Sequence, residues 1–414
     1  MVSFDAGAIP PQPTGVGRYA FSIANALSRR DDIELLVLCR NGDYLRWRDA
    51  VPHSSVRRSF PDSRVGRVAV EQLLLGRRLG KMGVDLHHGP HYTMPTHAEV
   101  PVVVTIHDLT FVENPQWHEP FKVPFFRMAI RRAVHMANAI VCVSERTAIS
   151  LKDNFTPKCP VVVAHHGIDR TLFSDTEPSV GYDDLVLDSF GISRPYIVFL
   201  GTLEPRKSVP MLINAFNILA NEDPDLRLVI AGRQGWAMNS VTDALDSSVD
   251  PSSIHMLGYV PDDKLPPLLR QAAVCAYPAL EEGFGLPALE AMACGTALVT
   301  TSNVPAVELA PEVPWIVDTM MEDRGGSLHG TEGRSVRGIR YTNNGSGTSD
   351  TQQLILFSKA LASTVRDALD DNEQRMSRIK IGLSRAHEWT WEQSALKHVS
   401  AYKMALGLNG DGVG

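Results

Sequence analysis

The chain has 414 residues, more than one hydrophobic core normally holds, so its length favours two domains, with three as the upper estimate. Hydrophobic residues make up 44% of it and charged residues 21%, which is typical of globular proteins and argues against wholesale disorder. The formal net charge of −7 argues against nucleic-acid binding through an overall positive field.

Short apolar runs alternate with longer amphipathic segments along the chain. The runs predict strands at residues 34–39, 84–88, 100–106, 139–144, 160–165, 196–201, 226–232, 254–258, 273–278 and 297–301. Helical periodicity lies between them, for example over residues 17–30, 68–82 and 209–222. Continuous apolar runs suit strands that are covered on both faces, as in parallel sheets. The alternation therefore predicts an α/β fold with right-handed crossovers.

This alternation is interrupted at residues 171–194, which are rich in acidic residues, Ser, Pro and Gly. We interpret the segment as the linker between two similar doubly wound, Rossmann-like domains, residues 1–175 and 190–386. In a doubly wound domain, ligands bind outside the carboxyl ends of the strands. Two such sheets facing each other would place a binding site in the cleft between the domains.

A glycine loop near the start of the chain leads into a helix over residues 13–27. Gly15 and Gly17 would expose backbone N–H groups to a ligand there. The signal is weak, because the G-x-G-x-x-G pattern is incomplete and position 20 is alanine.

Histidines cluster after two of the predicted strands. His87, His88 and His91 have loose metal-like spacing, which keeps a metal site as an alternative, although no cysteine lies nearby and a Gly-Pro turn separates them. His107 follows the strand at 100–106 and is better placed to face a ligand. There it could donate or accept a hydrogen bond.

The segment 199–216 reads as strand, loop and helix, with Arg206 and Lys207 at the junction of loop and helix. Cations beside the free N–H groups of a helix start suit an anion such as a diphosphate. The alternative is a pair of solvated surface charges.

The stretch LEEGFGLPALEAMACGT (280–296) predicts a short helix over residues 287–294. Pro287 suits the first helical position and Gly295 suits the C-terminal cap. Gly283 and Gly285 precede the helix, and glycine lets a ligand approach the backbone closely.

Two glutamates flank this turn. Glu290 could accept two hydroxyl hydrogen bonds from a ribose, as an acidic residue does in dinucleotide-binding folds, or it could simply stabilise the helix start. Glu282 would point into the cleft, or it could be an exposed loop carboxylate.

Residues 321–350 form a Gly-rich polar insertion. A loop of this length without structure is uncommon. We favour a disordered insertion over an active-site lid. Helical patterns follow at 352–369 and 387–406.

Taken together, these motifs resemble the retaining family-4 glycosyltransferases, which have the GT-B fold of two facing Rossmann-like domains. The resemblance runs nearly end to end, and its most specific element is the pair Glu282 and Glu290, which are separated by seven residues. The other segments that carry it are TGVGRY (14–19), HHGPHYTMP (87–95), TIHDLT (105–110), VSERT (143–147), HHGID (165–169), FLGTLEPRKS (199–208), LGYVPDDKL (257–265) and HEWTWEQSA (387–395).

The resemblance implies roles for individual residues. Glu282 would contact the donor sugar near its anomeric end, and Glu290 would bind the ribose. Lys207, with Arg206 beside it, would neutralise the diphosphate leaving group. The backbone that holds the sugar hydroxyls and the diphosphate would be that of Gly283, Phe284, Gly285 and Leu286.

On the same grounds, His107 would lie beside the transferred sugar, and Tyr259 and Val260 would line the nucleobase. Residues 387–414 would form the family's last helix, which returns to the N-terminal domain. The acceptor side would comprise Gly15, Gly17, Arg18 and Tyr92.

The chain departs from the family pattern in places. Many relatives have Gly-Arg where this chain has Gly201 and Thr202, so one diphosphate-binding arginine is missing and Arg206 is expected to replace it in part. Gly201 itself stays in the expected donor site. Position 297 is alanine where proline is usual, and the insertion has no counterpart.

The family implies a retaining, metal-independent hexosyltransferase that needs no cofactor, because the nucleotide sugar is a substrate. The loop GTLEPRKS most resembles transferases of cell-surface polysaccharide assembly, many of which use GDP-mannose. The only Asp-x-Asp, Asp223–Asp225, precedes a strand and is expected to be an ordinary turn. The alternatives are another GT-B enzyme, such as a sugar-nucleotide epimerase or a glycogen-synthase-type polymerase, and a binding protein without catalysis.

The expected acceptor is a glycan or a lipid-linked glycan. Two basic segments, 57–81 and 121–134, could lie on the inner membrane surface, or they could be solvated helix faces with core aromatics. Their cations are Arg57, Arg58, Arg64, Arg67, Arg77, Arg78, Lys81, Lys122, Arg127, Arg131 and Arg132, and their aromatic residues include Phe121, Phe125 and Phe126.

The five cysteines include no C-x-x-C pair, and we interpret them as small buried hydrophobic residues in a reducing compartment. No apolar run approaches the roughly 20 residues that span a bilayer. The N-terminus lacks the features of a secretory signal, so the expected location is the cytoplasm.

Overall fold

The computed structural model describes residues 1–9, 15–236, 238–317 and 348–408. The chain divides into an N-terminal unit, Met1–Asp169 with Trp389–Gly414, and a C-terminal unit, Arg170–Glu388. Each unit is built on one parallel sheet, with helices between most of the successive strands. The predicted α/β fold class with two Rossmann-like sheets is therefore confirmed.

Seven parallel strands form the sheet of the N-terminal unit in the order β3-β2-β1-β4-β5-β6-β7. The strands are β1 (Val2–Asp5), β2 (Leu35–Arg40), β3 (Ser55–Phe60), β4 (Leu86–Gly89), β5 (Val102–Ile106), β6 (Ala139–Cys142) and β7 (Val161–Val163). The helices are α1 (Gly15–Ser28), α2 (Tyr44–Ala50), α3 (Arg64–Val70), α4 (Gly76–Lys81), α5 (Thr110–Glu113), α6 (Lys122–Met136) and α7 (Glu145–Asn154), with a π-helical turn, Glu71–Leu75, between α3 and α4.

Six parallel strands form the sheet of the C-terminal unit in the order β10-β9-β8-β11-β12-β13. The strands are β8 (Tyr196–Leu200), β9 (Arg227–Ala231), β10 (Ile254–Gly258), β11 (Val274–Tyr277), β12 (Leu298–Thr301) and β13 (Trp315–Val317). The helices are α8 (Tyr182–Phe190), α9 (Val209–Ala220), α10 (Asn239–Asp246), α11 (Leu265–Arg270), α12 (Leu286–Ala293), α13 (Thr348–Asp370) and α14 (Asn372–Ala386).

Both sheets reverse their strand order at one place, between β1 and β4 in the first and between β8 and β11 in the second. The connections leaving the two central strands diverge at such a point, and the crevice between them is where ligands bind in open α/β sheets. The strand order therefore marks one candidate position in each unit.

The last helix, α15 (Trp391–Ala405), packs in the N-terminal unit against α1 and strands β5 to β7. Just before this helix, the Trp389 carbonyl accepts a 3.0 Å backbone hydrogen bond from the N–H of Ile168. A Cβ atom on Gly167 would lie 2.3 Å from the Trp391 nitrogen, so the close approach of these two segments requires glycine.

The ten predicted strands are all present, and three further strands in the described part of the chain were missed. β1 carries Ser3 and Asp5 at buried positions, where Ser3 bonds to His87 and Asp5 pairs with Arg67. β3 is an edge strand with an exposed, arginine-rich sequence. β13 is short, with three described residues, Trp315–Val317, at the edge of its sheet. None of them shows the apolar run that marks a central parallel strand.

The interpretation of residues 171–194 as a plain linker is wrong, because α8 lies within it. Gly181 and Gly191 bound this helix in left-handed conformations. Its Val186 and Leu187 are buried, and its Asp183 pairs with Arg270 at 2.6 Å. Acidic residues at the start of a helix are stabilised there, so the acidic sequence marks a helix start.

Two further predictions concern the loops. The insertion at 321–350 lies outside the described residues, except that α13 begins at Thr348. Asp223–Asp225 forms an exposed turn before β9, as expected.

The five cysteines are free, and Cys39, Cys142 and Cys275 are buried in strands β2, β6 and β11.

Candidate functional site

In the C-terminal unit, the loops that follow β8 and β11 meet where the strand order of the sheet reverses. Both loops were predicted from the sequence to bind a ligand. Their strands, β8 and β11, pair directly with each other, with Ile197 opposite Val274. The loop after β8 and the loop after β11 then join through a hydrogen bond from Leu280 N–H to the Arg206 carbonyl, 2.8 Å long. Strand order thus brings together residues that are far apart in sequence, such as Lys207 and Glu282, which are 75 positions apart.

The charged residues of these loops form a buried cluster. Arg206 Nη1 lies 2.6 Å from Glu282 Oε1, and Lys207 Nζ contacts the same oxygen. Arg206 also pairs with Glu204 at 3.0 Å. The side chains of Lys207 and Glu282 are only 8% and 9% exposed. The alternatives of solvated surface cations and an exposed loop carboxylate are therefore wrong.

Burial acts on both partners of the ion pair. Burial alone would raise the pKa of Glu282, but the charges of Arg206 and Lys207 outweigh it and hold that pKa at about 2. Burial lowers the pKa of Lys207, against the opposing effect of Glu282. At neutral pH Glu282 is ionised, which favours the charged form of the lysine beside it.

Sequence reasoning missed Tyr277, the last residue of β11. Its hydroxyl donates to Glu282 Oε1 at 3.0 Å and accepts from Lys207, whose Nζ also lies 4.7 Å from the centre of the Tyr277 ring. The ring stacks on Phe199 of β8. Its position at a strand end, five residues before Glu282, is the signal that could have revealed it.

Hydrogen bonds from β12 and from the segment after it fix the loop that carries Glu282. Thr300 Oγ1 donates to the Tyr277 carbonyl at 2.7 Å, and Asn303 Nδ2 donates to the Leu280 carbonyl at 2.9 Å. Ala306 N–H donates to the Phe284 carbonyl at 2.7 Å. Because its carbonyls are held at several points, the loop presents a fixed surface at the strand ends.

The turn before α12 requires its second glycine. Gly285 has φ of +96°, and a Cβ atom there would lie 2.3 Å from Val304 Cγ1. The helix begins at Leu286, one residue earlier than predicted, so Pro287 occupies its second position instead of its first. Gly295 follows the Cys294 cap with φ of +69°, and the two 3.0–3.2 Å bonds from Gly295 and Thr296 to carbonyls of α12 make a Schellman end.

The remaining donor-side candidates lie on the same edge of the sheet or next to it. Gly283, Phe284, Leu286 and Glu290 are buried, the last on α12. Gly201 has φ of +146°, and its carbonyl lies so close to Gly232 that a Cβ on the latter would be 1.7 Å away.

Tyr259 and Val260 follow β10 and have opposite environments. Val260 is buried, whereas Tyr259 is 46% exposed and carries the Arg233 guanidinium 4.5 Å above its ring centre. Arg233 was not predicted as a site residue. A partly exposed ring of this kind offers a face on which a planar group could stack.

In the N-terminal unit, His107 follows β5 and is buried. Its Nε2 donates to the Pro90 carbonyl at 2.8 Å, since a carbonyl can only accept. Burial lowers the pKa of His107 to about 4, so the ring is neutral at pH 7. Tyr92, with φ of +60°, is also buried, and its hydroxyl accepts from Asp108 N–H at 3.0 Å.

The glycine loop predicted near the N-terminus is corrected in part. Gly15 and Gly17 are the first and third residues of α1, so they are helical, while residues 10–14 lie outside the described ranges. The N–H groups of both glycines still belong to the first helical turn, which has no intrahelical acceptors for them. Arg18 follows and is half-buried.

The clustered histidines bond to protein groups. His87 Nδ1 bonds to Ser3 at 2.9 Å, and His88 bonds to Thr105 and Tyr402 at 2.8 Å each. Across the described residues, no group of three or more His, Cys, Asp or Glu side chains is arranged to hold a metal ion. These contacts give His87 and His88 structural roles.

Two family models match the chain, one in each unit. Residues 13–172 match the model described as Glycosyltransferase Family 4, and residues 194–318 match the model described as Glycosyl transferases group 1. The two matched segments contain the motifs from the glycine loop to the second glutamate.

Individual relatives cover nearly the whole chain. O-antigen chain mannosyltransferase B of Escherichia coli is 24% identical over 409 residues, which are 94% of this chain and 96% of that protein. Sucrose-phosphate synthase of Thermosynechococcus elongatus superposes with a TM-score of 0.71 at 16% identity, covering 99% of both chains. HepE of Anabaena, in a complex with UDP and glucose, superposes with a TM-score of 0.66 at 17% identity, covering 97% of this chain and 99% of its own.

Proposed function

Because the chain belongs to the family-4 glycosyltransferases of GT-B fold, we propose that it is a retaining, metal-independent hexosyltransferase. It moves mannose from GDP-mannose to a hydroxyl of a glycan or lipid-linked glycan in cell-surface polysaccharide or glycolipid synthesis. The observation that carries the proposal is the buried cluster of Glu282, Lys207 and Arg206 at the carboxyl ends of β8 and β11.

In the proposed reaction the acceptor oxygen attacks the anomeric carbon from the face that the diphosphate leaves. The carbon–oxygen bond to the diphosphate breaks, and the departing diphosphate oxygen takes the proton of the acceptor hydroxyl. No protein nucleophile is needed. The protein contributes positioning and stabilises the negative charge that develops on the leaving group.

Lys207, Arg206 and the N-terminus of α12 supply that stabilisation. The carboxylates of Glu282 and Glu204 orient the two cations before a donor binds. A diphosphate would share these cations with Glu282, so the site needs little reorganisation when charge develops. The N–H groups at the start of α12 add a favourable field for an anion.

Around this centre, Glu282 contacts the sugar and Glu290 binds the ribose. The backbone from Gly283 to Leu286 and that of Gly201 hold sugar hydroxyls and diphosphate, and Tyr259 and Val260 line the base. His107 lies beside the transferred sugar, and the acceptor side comprises Gly15, Gly17, Arg18 and Tyr92. Mannose is supported by the relative that is named as a mannosyltransferase over nearly its full length.

A thermal-shift screen of nucleotide sugars tests the donor. We expect GDP-mannose to stabilise the protein, because a ligand at 100 times its Kd adds about 2.7 kcal/mol. A shift with a UDP- or dTDP-sugar but not with GDP-mannose would overturn the mannose assignment. The anomeric configuration of the transfer product, read by NMR, then tests retention.

Assays of the purified protein with the nucleotide sugar, with and without an acceptor, separate the competing functions. An epimerase would convert the donor without an acceptor, and a glycogen-synthase-type polymerase would lengthen its own product repeatedly. A binding protein would bind the nucleotide sugar, but would neither transfer nor hydrolyse the sugar. The intact set of Glu282, Glu290, Lys207 and His107 favours the transferase.

A surface of the N-terminal unit supports a second proposal, peripheral contact with an anionic membrane. The segment from α3 to α4 and helix α6 are neighbours, since Arg132 bonds to Gln72 and, at 3.2 Å, to Thr96. Exposed apolar side chains stand on both: Val65, Leu73, Phe121 and Met128 are 83%, 75%, 69% and 57% exposed. The exposed cations among them are Arg64, Arg77, Arg78, Lys81 and Arg131.

Not every residue of the two basic segments belongs to this surface. Arg67 is buried between Asp5 and Glu71, at 2.8 and 3.0 Å. Phe126 packs against Tyr92 and Phe111. Among the described helices, none is long and apolar enough to cross a membrane. The contact we propose is therefore interfacial.

Vesicle co-sedimentation tests this contact. We expect the protein to bind vesicles containing phosphatidylglycerol, to bind pure phosphatidylcholine vesicles less, and to be released by salt. The double variant Leu73→Ser, Phe121→Ser should lose most of this binding, because apolar area and charge act together. The control Leu185→Ser, Val249→Ser removes equally exposed apolar side chains from the C-terminal unit and should bind normally. Equal binding by both variants would contradict the proposal.

A further inference from the structure

A continuous line of hydrogen bonds crosses the interior of the N-terminal unit. It starts and ends on α15 and passes through β4, β5 and α1 on the way. The links are 2.7–2.8 Å long and join, in order, Tyr402, His88, Thr105, Tyr19, His398 and the Ser394 carbonyl. Four of its side chains, those of Tyr19, His88, Thr105 and His398, are 0% exposed.

The donors in this line follow from its last link. The Ser394 carbonyl can only accept, so His398 carries its proton on Nδ1 and, when neutral, accepts at Nε2 from the Tyr19 hydroxyl. Tyr19 then accepts from Thr105, which must in turn accept from His88 Nε2. His88 Nδ1 finally accepts from Tyr402. Tyr402 donates at one end, the Ser394 carbonyl accepts at the other, and each group between them both donates and accepts, so the line runs in a single direction.

The environment supports this assignment. Burial lowers the pKa of His398 to about 4 and that of His88 well below its usual value, so both rings are neutral at pH 7. A fully satisfied network of buried groups is rigid, and its members strengthen one another.

Tyr19 links this network to His107. The edge of one ring meets the face of the other, with the centres 4.8 Å apart. Tyr19 also stacks on His166 at 5.0 Å, and its partner Thr105 lies two residues before His107 in the chain. The position of the Tyr19 ring is therefore set by β5 on one side and by α15 on the other.

We propose that Tyr19 is a positioning residue for His107, and that its hydrogen bond to His398 makes the docked C-terminal helix part of the site beside the transferred sugar. This inference rests on the proposed function of His107 beside the transferred sugar. Tyr19 fixes the imidazole in the orientation in which Nε2 donates to the Pro90 carbonyl. Within the described residues, Nδ1 of that ring makes no hydrogen bond, so it is the nitrogen that remains to accept one from a ligand.

Four single variants of the full-length protein test the proposal. Tyr19→Phe keeps the ring and removes both hydrogen bonds, and His398→Leu removes the acceptor for Tyr19. We expect each to lower kcat for mannose transfer by about tenfold with little change in the KM for GDP-mannose, because small misplacements near the reacting carbon are costly. His398→Gln places an amide oxygen where Nε2 was, and we expect it to recover most of the lost kcat.

Tyr402→Phe is the matched control. It removes a buried tyrosine hydroxyl from the same network, but at the end that is remote from His107. It should lower the melting temperature about as much as Tyr19→Phe does and leave kcat near the wild-type value. If the two phenylalanine variants lose the same kcat, or if His398→Gln behaves as His398→Leu does, the role is merely structural and the proposal is wrong.

NMR of the histidine rings gives a readout that does not depend on activity. The His107 ring protons, assigned with His107→Gln, lie in the ring-current field of Tyr19. We expect their shifts to change in Tyr19→Phe and His398→Leu and to stay in place in Tyr402→Phe. If the His107 shifts change as expected but the wild-type protein transfers no sugar, only the proposed function is refuted. If the shifts are unchanged in all variants, the positioning role of Tyr19 is refuted.

Discussion

Replacing Lys207 by methionine is expected to lower kcat for sugar transfer by about 10²–10³-fold, the loss typical of removing one group that stabilises developing charge. Methionine keeps the length and apolar stem of the lysine, which is buried against the Tyr277 ring. Glu282 keeps its second partner, Arg206, at 2.6 Å. The substitution therefore removes one charge and leaves the loop with an ion pair.

Steady-state kinetics with the donor chosen by the thermal-shift screen would measure this effect. We expect kcat to fall much more than the affinity for the donor, because the charge on the leaving group grows as the bond breaks. Circular dichroism and the melting temperature would establish that the variant is folded.

Lys264 provides a matched control in the same unit. Its Nζ bonds to the Tyr182 hydroxyl at 3.0 Å and lies 4.9 Å from the centre of that ring, so it repeats the lysine–tyrosine contact away from β8 and β11. Lys264→Met should keep wild-type turnover. A folded Lys207→Met protein with normal kcat would exclude Lys207 as the group that neutralises the diphosphate.

The sequence predicted the sheet strands well wherever burial on both faces left a plain apolar run. β5 and β8 are examples, because all five residues of each are buried. It failed for β1, whose buried Ser3 and Asp5 are tolerated only because His87 and Arg67 come from distant parts of the chain. A pattern within one segment does not contain partners that only the fold supplies.

The candidate site shows the same limit. Each loop was predicted from its own sequence, but the burial of Lys207 and Glu282 is a property of the pair, since neither charge would be stable there alone. Tyr277 was missed because its role depends on both loops at once. Arg67 shows the opposite error. The basic segment placed it among the surface cations, but it is buried and paired with Asp5 and Glu71.

The two glutamates of the stretch 280–296 are expected to give contrasting kinetic defects. Glu282→Gln should lower kcat by about 10²-fold, because it removes the charge that orients Lys207 and Arg206 and, with it, the contact that we propose near the reacting carbon. Glu290→Gln should raise the KM for the donor by about tenfold or more with a smaller change in kcat, since the ribose contact that we propose would be the same in the ground state and the transition state. Glutamine is used in both because it keeps the volume of these buried side chains.

Initial rates over a range of donor concentrations separate the two constants, and the melting temperature of each variant is the control for folding. Glu282→Gln removes a carboxylate from between two cations, so its free protein should be destabilised and should recover stability when the nucleoside diphosphate supplies negative charge. The matched control is Glu281→Gln. It makes the same charge change in the same loop, and it retains the backbone carbonyl of residue 281, which accepts from Arg206 at 3.3 Å. Wild-type kcat/KM in Glu282→Gln, or defects of the same kind in both glutamate variants, would refute the division of roles between the sugar and the ribose.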